Sequence, residues 1–271
     1  MAFGIIIIGD EILSGRRTDK HLSQVIGLLA ARGLSLDWAE YVGDDPARIT
    51  ATLRRTLSGG DVVFSTGGIG ATPDDHTRQC AAEALGVPLA LHDAAKALIV
   101  ERMRDMTGHA QPDLALPENQ QRLKMGEFPV GAAIIPNPYN KIPGFSVADH
   151  HFVPGFPVMA WPMIEWVLDT HYAHLHHVDT RVERSILVFG LAESTIAPLM
   201  RQIETTFPTV KAFSLPSVGD AQRGALYARH HIDLGVKGDA VSVEAAFAVL
   251  RDGITTLGGE MVEAPSAGKG G

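Results

Sequence analysis

Cysteine is almost missing from this chain of 271 residues, which has only Cys80. A lone thiol closes no internal disulfide and builds no thiolate metal site, so a disulfide-stapled secreted domain and a zinc module are both excluded. Its expected place is that of a small buried hydrophobe. Long apolar runs are missing as well. The stretches 5–8 and 62–64 fall far short of the ~18 residues a membrane helix needs, and no charged segment leads into an apolar one at the N-terminus. The expectation is a cytoplasmic chain with no membrane partner and no export. Nor is there a basic block: 23 Lys and Arg stand against 31 Asp and Glu, a net charge of −8. That excludes a broad phosphate-tracking surface for nucleic acid, although glycine-rich backbone in an acidic protein still binds nucleotides locally. Aromatics make up 6%, while the apolar share of 45% and charged share of 20% are those of an ordinary folded protein.

What is there is a regular alternation. The β-branched run 3–8 reads as a strand buried on both faces. Asp19 is placed to cap a helix carrying Leu22, Val25, Ile26 and Leu29 on one face, with Gly33 as its stop. A strand over 36–42 follows, then a helix opened by Asp45 with Pro46 at its first position. Strand 61–65, helix 77–85, strand 88–91 and helix 94–106 continue the pattern, which predicts a doubly wound, mostly parallel α/β sheet. A helix over 114–125, a short strand over 132–136 and a hairpin-like 147–153 precede a proline-rich loop and a helix over 158–172. From residue 181 the order changes to β-α-β-β-α-β: strand 182–189, helix 194–206, strands 210–215 and 226–235, helix 243–257 and a last strand 260–262. This is the ferredoxin-like plan. The expected organisation is an α/β domain over 1–177, a small α+β domain over 178–263 and a flexible tail over 264–271.

The chemistry concentrates in Thr66-Gly67-Gly68-Ile69-Gly70-Ala71-Thr72-Pro73-Asp74-Asp75. Three glycines directly after a strand let backbone approach a phosphate or a pterin, and the hydroxyls of Thr66 and Thr72 add donors. Of the two carboxylates, one can cap the next helix while the other holds a divalent metal through oxygen. Gly9-Asp10-Glu11 places a second acidic pair after the first strand, and Gly43-Asp44-Asp45 a third, in which Asp45 is the cap and Asp44 the spare carboxylate. In a doubly wound sheet ligands lie beyond the carboxyl ends of the strands, so the first motif and the glycine motif are expected to face one pocket.

In this order and spacing the motifs resemble the molybdopterin-binding (MoaB/Mog-like) domain of molybdenum-cofactor biosynthesis proteins, and more closely the amino-terminal half of the CinA (competence/damage-inducible) family. Thr77-Arg78, Glu118-Asn119-Gln120, Pro154-Gly155-Phe156-Pro157 and Gly190-Leu191-Ala192-Glu193-Ser194 add to the likeness. The resemblance implies a site for molybdopterin or a nucleotide diphosphate, used either for metal-dependent hydrolysis of a pyrophosphate such as ADP-ribose or FAD, or for binding a pterin or nucleotide without turnover. It implies a homo-oligomer and a divalent metal (Mg, Mn or Co). On this chain it assigns catalytic roles to Asp44, Asp74 and Asp75, and metal ligation to Asp10, Glu11 and Asp75. Ligand contacts fall to Gly9, Thr66, Gly67, Gly68, Gly70, Thr72 and Asn119. Where the family usually has Gly-Thr-Ala before a Pro-Gly step, this chain has Asn140-Lys141-Ile142, and Lys141 is expected to reach a phosphate instead.

Other conspicuous residues read as structural. Adjacent histidines on a strand point to opposite faces, so His150-His151 and His230-His231 cannot grip one ion as pairs. His174 and His177 read as surface or interface residues, and Trp161 and Trp166 as core or subunit-contact residues. Arg16 and Arg17 could clamp a phosphate or simply be solvated.

Overall fold

Six apolar residues in succession need cover on both sides, and β1 (Phe3–Ile8) has it. Phe3, Ile5 and Ile7 enter one core while Ile6 and Ile8 enter the other. The computed structural model describes residues 2–108, 111–178 and 181–263; the tail expected over 264–271 lies outside these. The chain divides into two compact units, Met1–Val178 and Asp179–Gly271.

In the first unit β1 is followed by the single turn α1 (Asp10–Leu13) and by α2 (His21–Ala30). The Asp19 carboxylate accepts from the backbone N–H groups of His21 (2.7 Å) and Leu22 (3.1 Å), and so caps α2. Then come β2 (Trp38–Val42), α3 (Pro46–Leu57), β3 (Val62–Thr66) and α4 (Thr77–Leu85). Asp45 caps α3 through Arg48 N–H at 2.8 Å, with Pro46 at the first position. The chain continues through β4 (Leu89–Leu91), α5 (Asp93–Met106), α6 (Pro117–Leu123), β5 (Glu127–Pro129), β6 (Ala133–Ile135), β7 (Gly144–Val147), β8 (His150–Val153) and α7 (Pro157–His171).

The main sheet has the order β2-β1-β3-β8-β7-β6. The strands β2, β1, β3 and β8 run parallel, while β7 pairs antiparallel with both β8 and β6. Residues of α2 and α7 pack on one face and those of α3 and α4 on the other, as a doubly wound sheet requires. The expected strand at 88–91 forms but does not join this sheet. It pairs with β5 in a separate two-stranded ribbon.

The second unit follows the ferredoxin-like order. It comprises β9 (Arg181–Phe189), α8 (Glu193–Thr206), β10 (Lys211–Ser217), β11 (His231–Asp239), α9 (Ala240–Thr256) and β12 (Glu260–Val262). The sheet order is β10-β11-β9-β12, every pair antiparallel, over a core of its own. The third strand lies later than its expected 226–235. No helix among the described residues is long and apolar enough to cross a membrane.

His150 and His151 behave as the strand period requires. His150 Nε2 lies 2.9 Å from Thr56 Oγ1 on α3, and His151 Nε2 lies 2.8 Å from the Tyr172 hydroxyl beyond α7. That hydroxyl donates to Asp149 (3.0 Å), so it accepts from His151, whose Nδ1 then accepts from Ser146 Oγ at 2.8 Å. Burial, with lesser contributions from His171 and His150, pushes the His151 imidazole down to about 3, and burial lowers His150 as well. An unfolded histidine binds its proton near pH 6.5. Between there and about pH 3 the unfolded chain therefore holds protons that folded His151 refuses, and stability falls as pH is lowered. Urea unfolding should show a loss of roughly 2 kcal/mol between pH 7 and pH 5 from His151. The pH dependence should flatten in His151→Gln.

Candidate functional site

Four strand ends meet at one edge of the first unit. Gly9 N–H donates to the Val42 carbonyl at 3.0 Å and Gly67 N–H to the Val153 carbonyl at 3.1 Å, which ties the loops after β1, β2, β3 and β8 together. β1 stands between β2 and β3, and the helices α2 and α4 that follow β1 and β3 pack on opposite faces of the sheet, so a crevice opens beyond the strand ends. The crevice is a cavity of about 490 Å³ bordered by Gly9, Glu11, Asp44, Gly67, Gly68, Gly70, Thr72, Asp74 and Asp75. The acidic turn after β1 and the glycine motif therefore do face one pocket.

The glycine turn has its shape for steric reasons. Gly67 and Gly68 sit at φ +99° and +68°, where a side chain is strained. A Cβ on Gly67 would collide with the Ile8 carbonyl oxygen, and one on Gly68 with Thr77 Oγ1. Four carbonyls of the turn are engaged. Gly67 O accepts from Thr77 Oγ1 (3.1 Å), Gly68 O from Thr77 N–H (3.0 Å), Gly70 O from the Arg78 guanidinium (2.6 Å) and Ala71 O from Gln121 Nε2. Lone pairs on these four that would repel an anion are thus taken up by the protein. Arg78 is buried, and a second bond from its guanidinium goes to the Lys124 carbonyl. Burial pulls Arg78 below its ordinary value, while Glu127 and Asp75 oppose that shift. The sequence flags Arg78 only as part of a motif; its part in holding Gly70 is a matter of tertiary structure.

The carboxylates divide into two kinds. Asp75 Oδ2 accepts from both the N–H and the hydroxyl of Thr72, closing the loop on itself. Neither Asp74 nor Asp75 caps α4, whose first turn has no side-chain cap, so the expected cap is corrected. Asp10 and Asp44 bond reciprocally: Asp10 N–H donates to Asp44 Oδ2 (2.9 Å) and Asp44 N–H to Asp10 Oδ1 (3.2 Å). Asp44 faces the cavity, and its carboxyl is raised by burial first and then by the charges of Asp10, Glu11 and Asp74, against the lowering effect of the Asp10 N–H. Asp10 does not border the cavity. Among the described residues no three His, Cys, Asp or Glu side chains gather to hold an ion. Of the expected trio, Glu11 and Asp75 border the cavity and Asp10 does not, while one oxygen each of Asp10 and Asp75 accepts from a backbone N–H.

Three ligand contacts expected from the sequence are also redirected. Lys141 takes φ +67°, and its Nζ lies 2.6 Å from Glu101 and 2.7 Å from Asp105 on α5, away from the cavity. Two carboxylates at that distance outcompete an approach to the site. Asn119 is buried within its own segment, donating to the Asp113 carbonyl (2.8 Å) and accepting from Arg122 (2.7 Å). Thr66 is buried at the end of β3 and borders a second, adjoining cavity, not the first. In place of Lys141 the cavity wall has Asn137, Asn140 and Ile142. Asn137 Nδ2 donates to Asn140 Oδ1 and to the Ile142 carbonyl, both at 2.9 Å. The signal for Asn137 was its place in an Asn-Pro turn, where the side chain holds backbone two residues on, at Tyr139 N–H (3.0 Å).

A family model described as "Probable molybdopterin binding domain" matches residues 4–174, which span every strand and loop of this crevice. This chain belongs to the molybdopterin-binding domain family. Relatives of the domain include a CinA-like protein of Anaeromyxobacter sp., 35% identical over 73% of this chain and 47% of its own. Another, from Syntrophotalea carbinolica, is 32% identical over 83% of this chain and 56% of its own. The chain thus spans about half the length of these curated relatives. Among solved structures, the protein CinA from Thermoplasma acidophilum is 26% identical with a TM-score of 0.53, covering 62% of this chain and 98% of that one. The molybdopterin-binding domain here accordingly has its crevice at the edge where the family motifs converge.

Proposed function

We propose that the crevice binds the diphosphate of a nucleotide such as ADP-ribose or FAD and hydrolyses it with a divalent cation. The observation that carries this reading is that the glycine turn, Gly67 to Gly70, and the carboxylates of Glu11, Asp44 and Asp74 border one cavity. A glycine turn of this kind suits phosphate oxygens. An uncompensated acidic wall would repel them unless a cation intervened.

The donor set suits a hard cation that brings its own further ligands. Magnesium at nucleotide sites is held by one or two carboxylates with waters and phosphate oxygens, and needs no three-residue cage. Glu11 is the carboxylate that would hold it, which leaves Asp44 free of the cation. When bound, such a cation neutralises phosphate charge and polarises the phosphorus. The chain's own part is binding and proton transfer. Gly68 and Gly70 would seat the diphosphate, with Asp75 locking Thr72 and so the far side of the turn. Asp44, whose raised carboxyl makes it a better base than an ordinary aspartate, would take the proton of the attacking water. Water oxygen joins one phosphorus, the bridging P–O bond breaks, and the two monophosphates leave.

The test is release of AMP from ADP-ribose and FAD by the purified protein with Mg²⁺, Mn²⁺ or Co²⁺. Product that disappears on chelation is the expected result. The family model favours a second reading, a pterin or nucleotide binder without turnover. No product with any of the three ions, together with a ligand-raised Tm, would select it; a ligand at 100 times its Kd stabilises by about 2.7 kcal/mol.

A further inference from the structure

The peptides of the glycine turn are trans, and a trans peptide directs its N–H opposite to its C=O. The carbonyls of Gly67, Gly68, Gly70 and Ala71 are held by Thr77, Arg78 and Gln121, so the N–H that follows each of them is turned away from these three residues. Those are the N–H groups of Gly68, Ile69, Ala71 and Thr72. Thr72 N–H goes to Asp75, while among the described residues those of Gly68, Ile69 and Ala71 have no partner. Gly68, Ile69 and Ala71 all border the first cavity, and Thr77, Arg78 and Gln121 do not.

Of the three residues behind the turn, Arg78 alone is charged. It is 3% exposed, and its guanidinium bonds go to the Gly70 and Lys124 carbonyls. Its Nε has no partner, and among the described residues it forms no ion pair. Glu127 and Asp75 act on it only through space. A cation buried without a contacting carboxylate costs stability, which calls for a compensating role. We infer that Arg78 is a positioning residue for the anionic ligand: through the Gly70–Ala71 peptide it presents Ala71 N–H to a phosphate oxygen and strengthens that N–H as a donor. The inference rests on the diphosphate reading above. A charged donor at the carbonyl end of a peptide polarises it, and the polarisation is carried to the N–H at the other end. Thr77 and Gln121, as neutral donors, do this more weakly for Gly68, Ile69 and Thr72. The fixed positive charge also offsets part of the repulsion between the acidic wall and the ligand.

Amide NMR spectra of the full chain test this, with titration by Mg²⁺ and α,β-methylene-ADP, whose P–C–P bridge resists cleavage. In the wild type the Ala71 amide proton should move downfield further than those of Gly68 and Ile69. Arg78→Lys keeps the charge and should bind within about threefold of the wild type, whereas Arg78→Gln, a neutral donor, should bind about tenfold more weakly with a smaller Ala71 shift. Both variants keep a donor for Gly70 and are expected to fold, and the wild-type arm needs neither. An Ala71 amide that stays in place while Gly68 or Ile69 moves overturns the role of Arg78. So does wild-type affinity in Arg78→Gln, or a loss in Arg78→Lys as large as in Arg78→Gln, which would make the role one of shape alone. Each of these leaves the diphosphate reading standing. No movement of any amide of the turn in the wild type overturns the diphosphate reading itself, and the role of Arg78 with it.

Discussion

Replacing Asp44 by asparagine should lower kcat/KM for ADP-ribose by about 10²–10⁴-fold, the span typical of a lost general base, while raising the Tm of the ligand-free protein. The two effects have one origin. Burial and the neighbouring charges of Asp10, Glu11 and Asp74 hold the Asp44 carboxyl above its ordinary value. A group whose folded value is raised costs stability once it is ionised, so at neutral pH the neutral amide removes a penalty. The asparagine side-chain oxygen can still accept from Asp10 N–H, which keeps the reciprocal bond between the two loops. Steady-state rates and differential scanning calorimetry on one preparation give both numbers. A variant that turns over at the wild-type rate removes Asp44 from the chemistry.

Gly67→Ala should abolish ligand binding and destabilise the first unit by about 2–4 kcal/mol. Left-handed backbone at a residue with a Cβ costs roughly 1–2 kcal/mol by itself. Here the methyl would also meet the Ile8 carbonyl oxygen, a backbone atom held in the parallel pairing of β1, so relief requires the strands to shift. That shift would carry Gly9 and Gly155 with it, because Gly67 N–H is bonded at the end of β8 and Gly9 N–H at the end of β2. Gly131→Ala is the control: it has φ +93° but open space around it, and should show the strain alone. Chemical unfolding of the two variants separates collision from strain; equal losses would show that the close approach at Gly67 contributes nothing.

Secondary structure was legible wherever a local physical cause operates. Asp19 and Asp45 cap the helices expected of them, and the two motifs of the crevice meet as strand ends in a doubly wound sheet must. Partners were less legible than elements. The strand at 89–91 is recognisable by its residues, yet nothing in them states that it pairs with 127–129 and not with the main sheet. The hairpin joining β7 and β8 turns at Ala148-Asp149, with φ +46° and +55° and no glycine, so the usual sign of such a turn is missing. β11 starts at His231, later than expected, because Leu226 and Tyr227 have strand-like character but lie in the connection before it.

In the site, residue types announced which chemistry is present but not which atoms are available for it. The glycines, the three acidic pairs and their order along the chain were enough to place a phosphate- or pterin-type crevice at the end of a parallel sheet, because strand direction and the need for positive φ are local constraints. Only the tertiary structure decided that Asp10 and Asp75 are engaged with backbone and that Lys141 is held by Glu101 and Asp105. It also decided that Asn119 is internal and that Thr66 opens to a neighbouring chamber beside His21. Asp10 and Lys141 are claimed by groups 34 and 40 residues away, which only packing brings within hydrogen-bonding distance. Asp75 and Asn119 are claimed by partners 3 and 6 residues off, through loop geometry that residue types alone do not announce.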